Sequence, residues 1–389
     1  MLKEIEEFGG PVLRAMRDTA WVNKGAYFNP TRSAGARAYD MYNHMWMPGL
    51  YTHPEDEYRH LLEHVTIWDV AVERQVEIDG PDGAAFMESL TPRDVSKCAV
   101  GECKYVLLTT PQGGIINDPV LLRLSKDRFW LSLSDWDVLF WCLGVAVHSG
   151  LDVVVREPDV SPVQIQGPKS KDLMKDLFGS KVLDMEYYTL LQTKLDGIPV
   201  VITRTGWSAE VGYEIYLEDQ TKGEDLWDRV IAAGKPHNIR AIAPSEIRRI
   251  EAGILNYSSD IVLENNPYEV GLGWTVDLDK KADFLGRDAL RKIKAEGPKR
   301  KLVGIEVDGA KVGAWISHYW PVHAGEKRIG HVTSLTHSPR LKKNIGFALV
   351  PIEYGKLGTK FKVTSPWGDR NATVVKKPFV DPTKEIPKS

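Results

Sequence analysis

The apolar run over residues 197–203 leads into a turn bounded by Gly206 and Gly212. Beyond it Tyr213, Ile215 and Leu217 alternate with Glu214 and Tyr216. A period of two marks a pair of strands, with Glu214 and Tyr216 on one face and their apolar neighbours on the other. That face is either exposed strand surface or the wall of a site. A carboxylate and a phenol, with Trp207 on the preceding turn, would suit a flat, hydrogen-bonding heteroaromatic ligand.

The same reading extends along the chain. A helix is expected over 55–66, a strand over 74–79 ending at Asp79-Gly80-Pro81, and a helix near 82–90. Strands near 104–110, 119–124 and 128–133 precede a helix at 135–148. A strand at 162–166, a helix at 169–177, the strand pair within 190–217 and a long helix near 222–236 follow. Helices and strands mix without a regular βαβ beat, and several strands are joined by short turns, which predicts α+β with antiparallel pairing. After Gly297 and Pro298 the texture changes to short strands at 302–307, 327–334, 345–350 and 359–364, a small β-barrel or sandwich. Residues 1–54 are rich in aromatics, Pro and Gly and show no long amphipathic period.

A chain of 389 residues is too long for one ordinary core, so two or three domains are expected. Apolar content of 43% and charged content of 26% are those of a soluble globular protein. A net charge of −3 with scattered Lys and Arg gives no general affinity for nucleic acid or anionic membrane. No apolar run approaches the roughly 20 residues that span a bilayer, and no secretory leader is evident, so a cytoplasmic protein is expected. Three cysteines, Cys98, Cys103 and Cys142, cannot form a fully paired framework and read as structural thiols. His60 and His64 have an i,i+4 spacing, but the acidic residue between them is misplaced for a zinc helix, and no metal is expected. Glycine-rich nucleotide loops and a serine-hydrolase elbow are also absent from the sequence.

Two further stretches carry candidate chemistry. The segment 110–120 reads as a hairpin turning at Gly113-Gly114, with Asn117 and Asp118 just inside the outgoing strand. Burying an unpaired carboxylate costs several kcal/mol, so Asp118 either faces solvent or lines a pocket. The segment 243–253 reads as a helix with Pro244 at its first position, and Arg248, Arg249 and Glu251 within about one turn. These charges either pair locally on a helix surface or include an arginine that orients a site.

The order and spacing of these stretches resemble one family. Gly113-Gly-Ile-Ile-Asn-Asp118, Arg204-Thr-Gly-Trp207 with Gly212-Tyr-Glu214, Arg249-Ile-Glu-Ala-Gly253 and Asp283-Phe-Leu-Gly-Arg287 are similar to the signature of the glycine-cleavage T-protein (aminomethyltransferase) family. So are Ile67-Trp-Asp-Val70, Gln166-Gly-Pro168 and Arg340-Leu-Lys-Lys-Asn-Ile345, and the resemblance runs from about residue 38 to 350. It implies a three-domain cloverleaf of α+β class, with a C-terminal barrel and tetrahydrofolate in a central channel. The expected division is a discontinuous folate-binding domain (1–54 plus 151–285), a second α+β domain (55–150) and the barrel (286–389).

Within the family, Trp207-Ser208 at the turn, Tyr216 after Glu214, Asn117-Asp118-Pro119 and Tyr42-Asn-His-Met45 look closer to the branch that demethylates dimethylsulfoniopropionate. That resemblance implies transfer of a methyl group from a small sulfonium donor to tetrahydrofolate, with Asp118 and Tyr216 as catalytic residues. Glu214, Trp207, Tyr105, Asn117 and Arg249 are assigned to the cofactor. Trp207, Tyr216 or Trp46 would face the cation, and Arg204, Arg249 or Lys104 would hold an anionic end of the donor. Aminomethyl transfer, which needs a lipoyl carrier protein as partner, demethylation of an amine or aryl ether, and folate binding without turnover are the alternatives.

Overall fold

The computed structural model describes residues 21–313 and 315–389. The first twenty residues, expected in the folate-binding domain, lie outside the described residues.

A six-stranded sheet runs Leu190–Leu195, Ile198–Thr203, Gly212–Leu217, Ser161–Gln166, Thr66–Asp69, Arg240–Ala241, antiparallel except at the last pair. Its alternation works as the sequence implies. Tyr213, Ile215 and Leu217 join Val163, Ile165, Val200 and Ile202 under the helices Ser170–Phe178 and Gly223–Gly234, which contribute Leu173, Leu226 and Trp227. Glu214 and Tyr216 point the other way, yet the whole strand is buried, so exposed strand surface is not what they form.

A second, fully antiparallel sheet runs Val154–Arg156, Gln75–Asp79, Phe129–Ser132, Val120–Arg123, Cys103–Tyr105. Val76, Ile78, Leu121, Phe129 and Leu131 pack against the helices Gly83–Leu90 and Val138–Ser149. Its opposite face, with Cys103, Leu122 and Trp130, meets Val201 and Tyr216 of the first sheet. The two sheets are thus glued by one apolar layer, as alternating strands with two buried faces require.

The expected domain boundaries shift accordingly. Thr66–Asp69 was expected in the second domain but pairs with Ser161–Gln166 in the large sheet, and Val154–Arg156 edges the second sheet instead of the first. Both are only three or four residues long, so little local pattern records which partner they choose.

The C-terminal part is a closed six-stranded barrel, Arg300–Val307, Lys343–Pro351, Lys327–Ser338, Trp320–Ala324, Lys360–Ser365, Gly368–Val375, filled by residues such as Val303, Trp320, Val332 and Val363. Two of its strands, Trp320–Ala324 and Gly368–Val375, have no counterpart in the sequence expectation. The same holds for the hairpin Ala38–Tyr42 and Met45–Leu50. That hairpin turns at Asn43 and His44, both with positive φ, and Asn43 bonds to Val72, Ser134, Asp135 and Trp136 of the second unit. Pro244 precedes the helix Glu246–Glu251 instead of opening it; Ser245 is the N-cap and accepts from the Arg248 amide at 3.3 Å.

Candidate active site

A channel of about 1020 Å³ opens where the two sheets, the hairpin, the helix Glu246–Glu251 and the barrel converge. Its position follows from register. Trp68, Gln164, Glu214 and Thr203 sit directly opposite one another across four neighbouring strands, so their side chains share a face. Three of them, Trp68, Gln164 and Glu214, reach the channel wall.

Glu214 is buried and held on every side. Its Oε1 accepts from Gln164 Nε2 at 2.7 Å, and its Oε2 accepts from Thr203 Oγ1 and Tyr216 Oη, each at 3.2 Å, and from Thr205 Oγ1. Burial raises its pKa, against those donors. The turn before it is built tightly: a Cβ at Gly206 or at Gly212 would collide with the Gln166 amide. Only glycine lets that amide clamp the loop, where it donates to the carbonyls of Thr205 and Tyr213. Trp207 is thereby set on the wall, its amide donating to Gln164 Oε1 at 3.3 Å.

Asp118 faces the same channel from the second unit. It follows the strand Ile115–Asn117, which pairs with Leu108–Thr109 through the paired-glycine turn. Tyr105 donates to Asp118 Oδ2 at 2.8 Å, whereas Oδ1 is buried with no hydrogen-bond partner among the described residues. Burial pushes the Asp118 carboxyl up to about 6. Tyr105 stacks on Trp274 at 6.1 Å, and Arg93 caps Trp274 at 5.0 Å, giving one aromatic wall.

Not every residue singled out in the sequence reaches the channel. Tyr216, expected to be catalytic, lies in the apolar layer between the sheets, 6.2 Å from the Trp130 ring, with only its hydroxyl turned to Glu214. It is absent from the channel wall because the facing sheet covers it. Asn117, expected at the cofactor, also lies off the wall; its amide brackets Ser134 through the Ser134 carbonyl and N–H. Arg249 does line the channel, but its guanidinium is spent on Glu246, Asp260, Ser334 and the carbonyl of Ile254. Its main task here is to bridge the helix to a barrel strand. Arg204 bonds to the carbonyls of Gly212 and Ser389, and Lys104 sits 3.8 Å from Glu102, both away from the channel wall. Trp46, opposite Met41 in the hairpin, is likewise off the wall.

Sequence reasoning missed Glu73 and Gln164. Gln164 is a polar residue inside a fully buried strand, and Glu73 a charge closing an apolar run, so each signalled a buried polar partner. Gln164 Nε2 also donates to Glu73 Oε1 at 3.2 Å, and Ser132 Oγ donates to Glu73 Oε2 at 2.9 Å. Burial, reinforced by the Glu214 charge, raises the Glu73 pKa well above the carboxylate range. Asp118, Glu73 and Glu214 are therefore three of the six carboxylates on the channel wall, with Asp40, Glu57 and Glu246.

The chain as a whole matches known proteins. Residues 27–280 match the GCVT N-terminal domain, and residues 300–381 the glycine cleavage T-protein C-terminal barrel domain. The dimethylsulfoniopropionate demethylase of Ruegeria pomeroyi is 39% identical over 88% of this chain and 93% of its own. An aminomethyltransferase of Symbiobacterium thermophilum is 33% identical over 86% and 91%. A trimethylamine-oxide aldolase of Ruegeria pomeroyi is 34% identical over 90% of this chain but 46% of its own. The crystal structure of aminomethyltransferase T from Bartonella henselae superposes with a TM-score of 0.84, covering 92% of this chain and 98% of that one, at 22% identity, which speaks for the fold alone. The chain belongs to the glycine-cleavage T-protein family, whose members are tetrahydrofolate-dependent transferases.

Proposed function

We propose that the protein transfers a methyl group from a small sulfonium donor of the dimethylsulfoniopropionate kind to tetrahydrofolate, yielding 5-methyltetrahydrofolate and a thioether. The observation that carries this reading is the buried Asp118 Oδ1, without a hydrogen-bond partner among the described residues, on a channel wall that also carries aromatic rings. A carboxylate at Asp118 beside aromatic faces suits an onium cation, each face contributing roughly 0.5–2 kcal/mol. The 39% identity to a dimethylsulfoniopropionate demethylase supports the same donor.

The channel also fits the cofactor. Glu214, Glu73 and Gln164 are hydrogen-bonded neighbours on the wall, which Trp207, Trp68 and Tyr105 also line. Bound tetrahydrofolate supplies N5 as the methyl acceptor. The chain's own residues do the rest, mainly by holding donor and acceptor in line. With the cofactor bound, Asp118 would accept the proton that methyl transfer releases, and its charge would stabilise positive charge where it develops. Tyr105 keeps that carboxylate oriented.

An anaerobic assay with tetrahydrofolate and dimethylsulfoniopropionate, following 5-methyltetrahydrofolate by chromatography, tests the proposal. Protein-dependent product formation is expected. No product, with tetrahydrofolate still bound, would move the donor elsewhere. The relatives named aminomethyltransferase favour one second reading, tested by adding an aminomethyl-lipoyl carrier protein: stimulation by the carrier would replace the sulfonium with the aminomethyl group.

A further inference from the structure

We propose that Glu73 is a second cofactor-reading carboxylate, forming with Glu214 a clamp, braced by Gln164, for the N–H-bearing edge of the reduced pterin. This deepens the folate reading above and rests on it. The geometry is that of one amide between two acids. Gln164 Nε2 donates to Glu214 Oε1 at 2.7 Å and to Glu73 Oε1 at 3.2 Å, and the Trp207 amide on Gln164 Oε1 fixes which way the side chain faces. Both hydrogens of that amide are therefore used, one on each carboxylate.

Counting acceptor positions shows where a ligand can bind. A carboxylate offers about four lone-pair directions. Glu214 already receives Gln164, Thr203, Thr205 and Tyr216, whereas among the described residues Glu73 receives only Gln164 and Ser132 through its side chain. The open capacity of the pair lies on the Glu73 side, on the channel wall. The titratable groups facing Glu73 are Glu214, Tyr42 and Tyr216, none of them a cation. Arg74, its chain neighbour, turns away to Glu157 and the Asn43 carbonyl. Two uncompensated carboxylates this close share a proton, and a ligand presenting adjacent N–H donors can take that proton's place. The pyrimidine edge of a reduced pterin, with its ring N–H and exocyclic amine, has those donors side by side.

The test is an anaerobic titration of tetrahydrofolate, followed by tryptophan fluorescence between pH 6 and 9. In the wild type the Kd is expected to tighten as pH rises, because binding displaces a proton. Glu73→Gln is expected to weaken binding about tenfold or more at pH 8 and to flatten that pH dependence, since losing a charged acceptor has that scale. It should lower kcat/KM for folate more than kcat. Ser132→Ala removes one donor from ionised Glu73 and is expected to move the midpoint of the Kd profile to higher pH. It decides the matter if Glu73→Gln melts early. Unchanged Kd and unchanged pH dependence in a folded Glu73→Gln would overturn the clamp alone. A loss of kcat at unchanged Kd would overturn it too, and no tetrahydrofolate binding by the wild type would overturn the folate reading with it.

Discussion

The Tyr105 hydroxyl donates to Asp118 Oδ2 at 2.8 Å, while Oδ1 is buried with no hydrogen-bond partner among the described residues, so one phenol orients the carboxylate without using its second oxygen. Asp118→Asn keeps an acceptor for Tyr105 but removes the charge. We expect kcat to fall about 100-fold or more, the scale seen when one charge-stabilising group is lost, with a smaller change in KM for the donor. Steady-state kinetics decides this, and an unchanged kcat would remove Asp118 from the chemistry.

The same carboxylate should cost stability. Its folded pKa, pushed up to about 6, exceeds the ordinary Asp value, so the native state holds a proton between about pH 4 and 6 that the unfolded chain has lost. Stability from this group is full below about pH 4 and is lost as pH rises through 6, a cost of at most about 3 kcal/mol at neutral pH. Asp118→Asn should therefore melt above the wild type at pH 7.5 and show no such advantage at pH 4. Calorimetry at the two pH values reads the difference.

Activity should carry the matching acid limb. The wild-type kcat/KM is expected to fall as pH drops through about 6, where Asp118 takes up its proton. Tyr105 stabilises the ionised form, so Tyr105→Phe should move that limb to higher pH. A limb that stays in place would assign it to another group.

Tyr216 touches the channel only through Glu214. Removing its hydroxyl takes one of the donors from Glu214 Oε2, a net loss of about 1 kcal/mol. Tyr216→Phe should raise KM for tetrahydrofolate several-fold and affect kcat less. A large kcat loss at unchanged KM would restore a direct role in the reaction.

Arg249 ties Glu246, Asp260 and the barrel residue Ser334 together, and Asp260 also receives Thr333 and Ser334. Arg249→Leu leaves Asp260 buried without its cation, a change that costs about 3–5 kcal/mol. Thermal melting should show the loss even in the absence of folate, whereas a purely ligand-binding arginine would leave the melt unchanged.

Glu214 was legible in the sequence because it interrupts an apolar strand, and Asp118 because it stands between two apolar segments, where an ionisable group needs a partner or a pocket. Gln164 gave the same signal less loudly, since an amide in a strand is common. Glu73, a charge closing an apolar run, gave a local signal too, but its place beside Glu214 depends on Gln164, some ninety positions away in the chain.

Local periodicity alone determined the strand faces, the antiparallel style, the barrel texture and the order of the motif residues. Those depend on sterics and solvation within a few residues. Tertiary structure decided what each face meets: that Tyr216 would be covered by the second sheet, that Thr66–Asp69 would pair in the first, and that Arg249 would be spent on the barrel. A period of two assigns a side chain to a face. The identity of the opposing surface is set by pairings between distant segments, which no local pattern encodes.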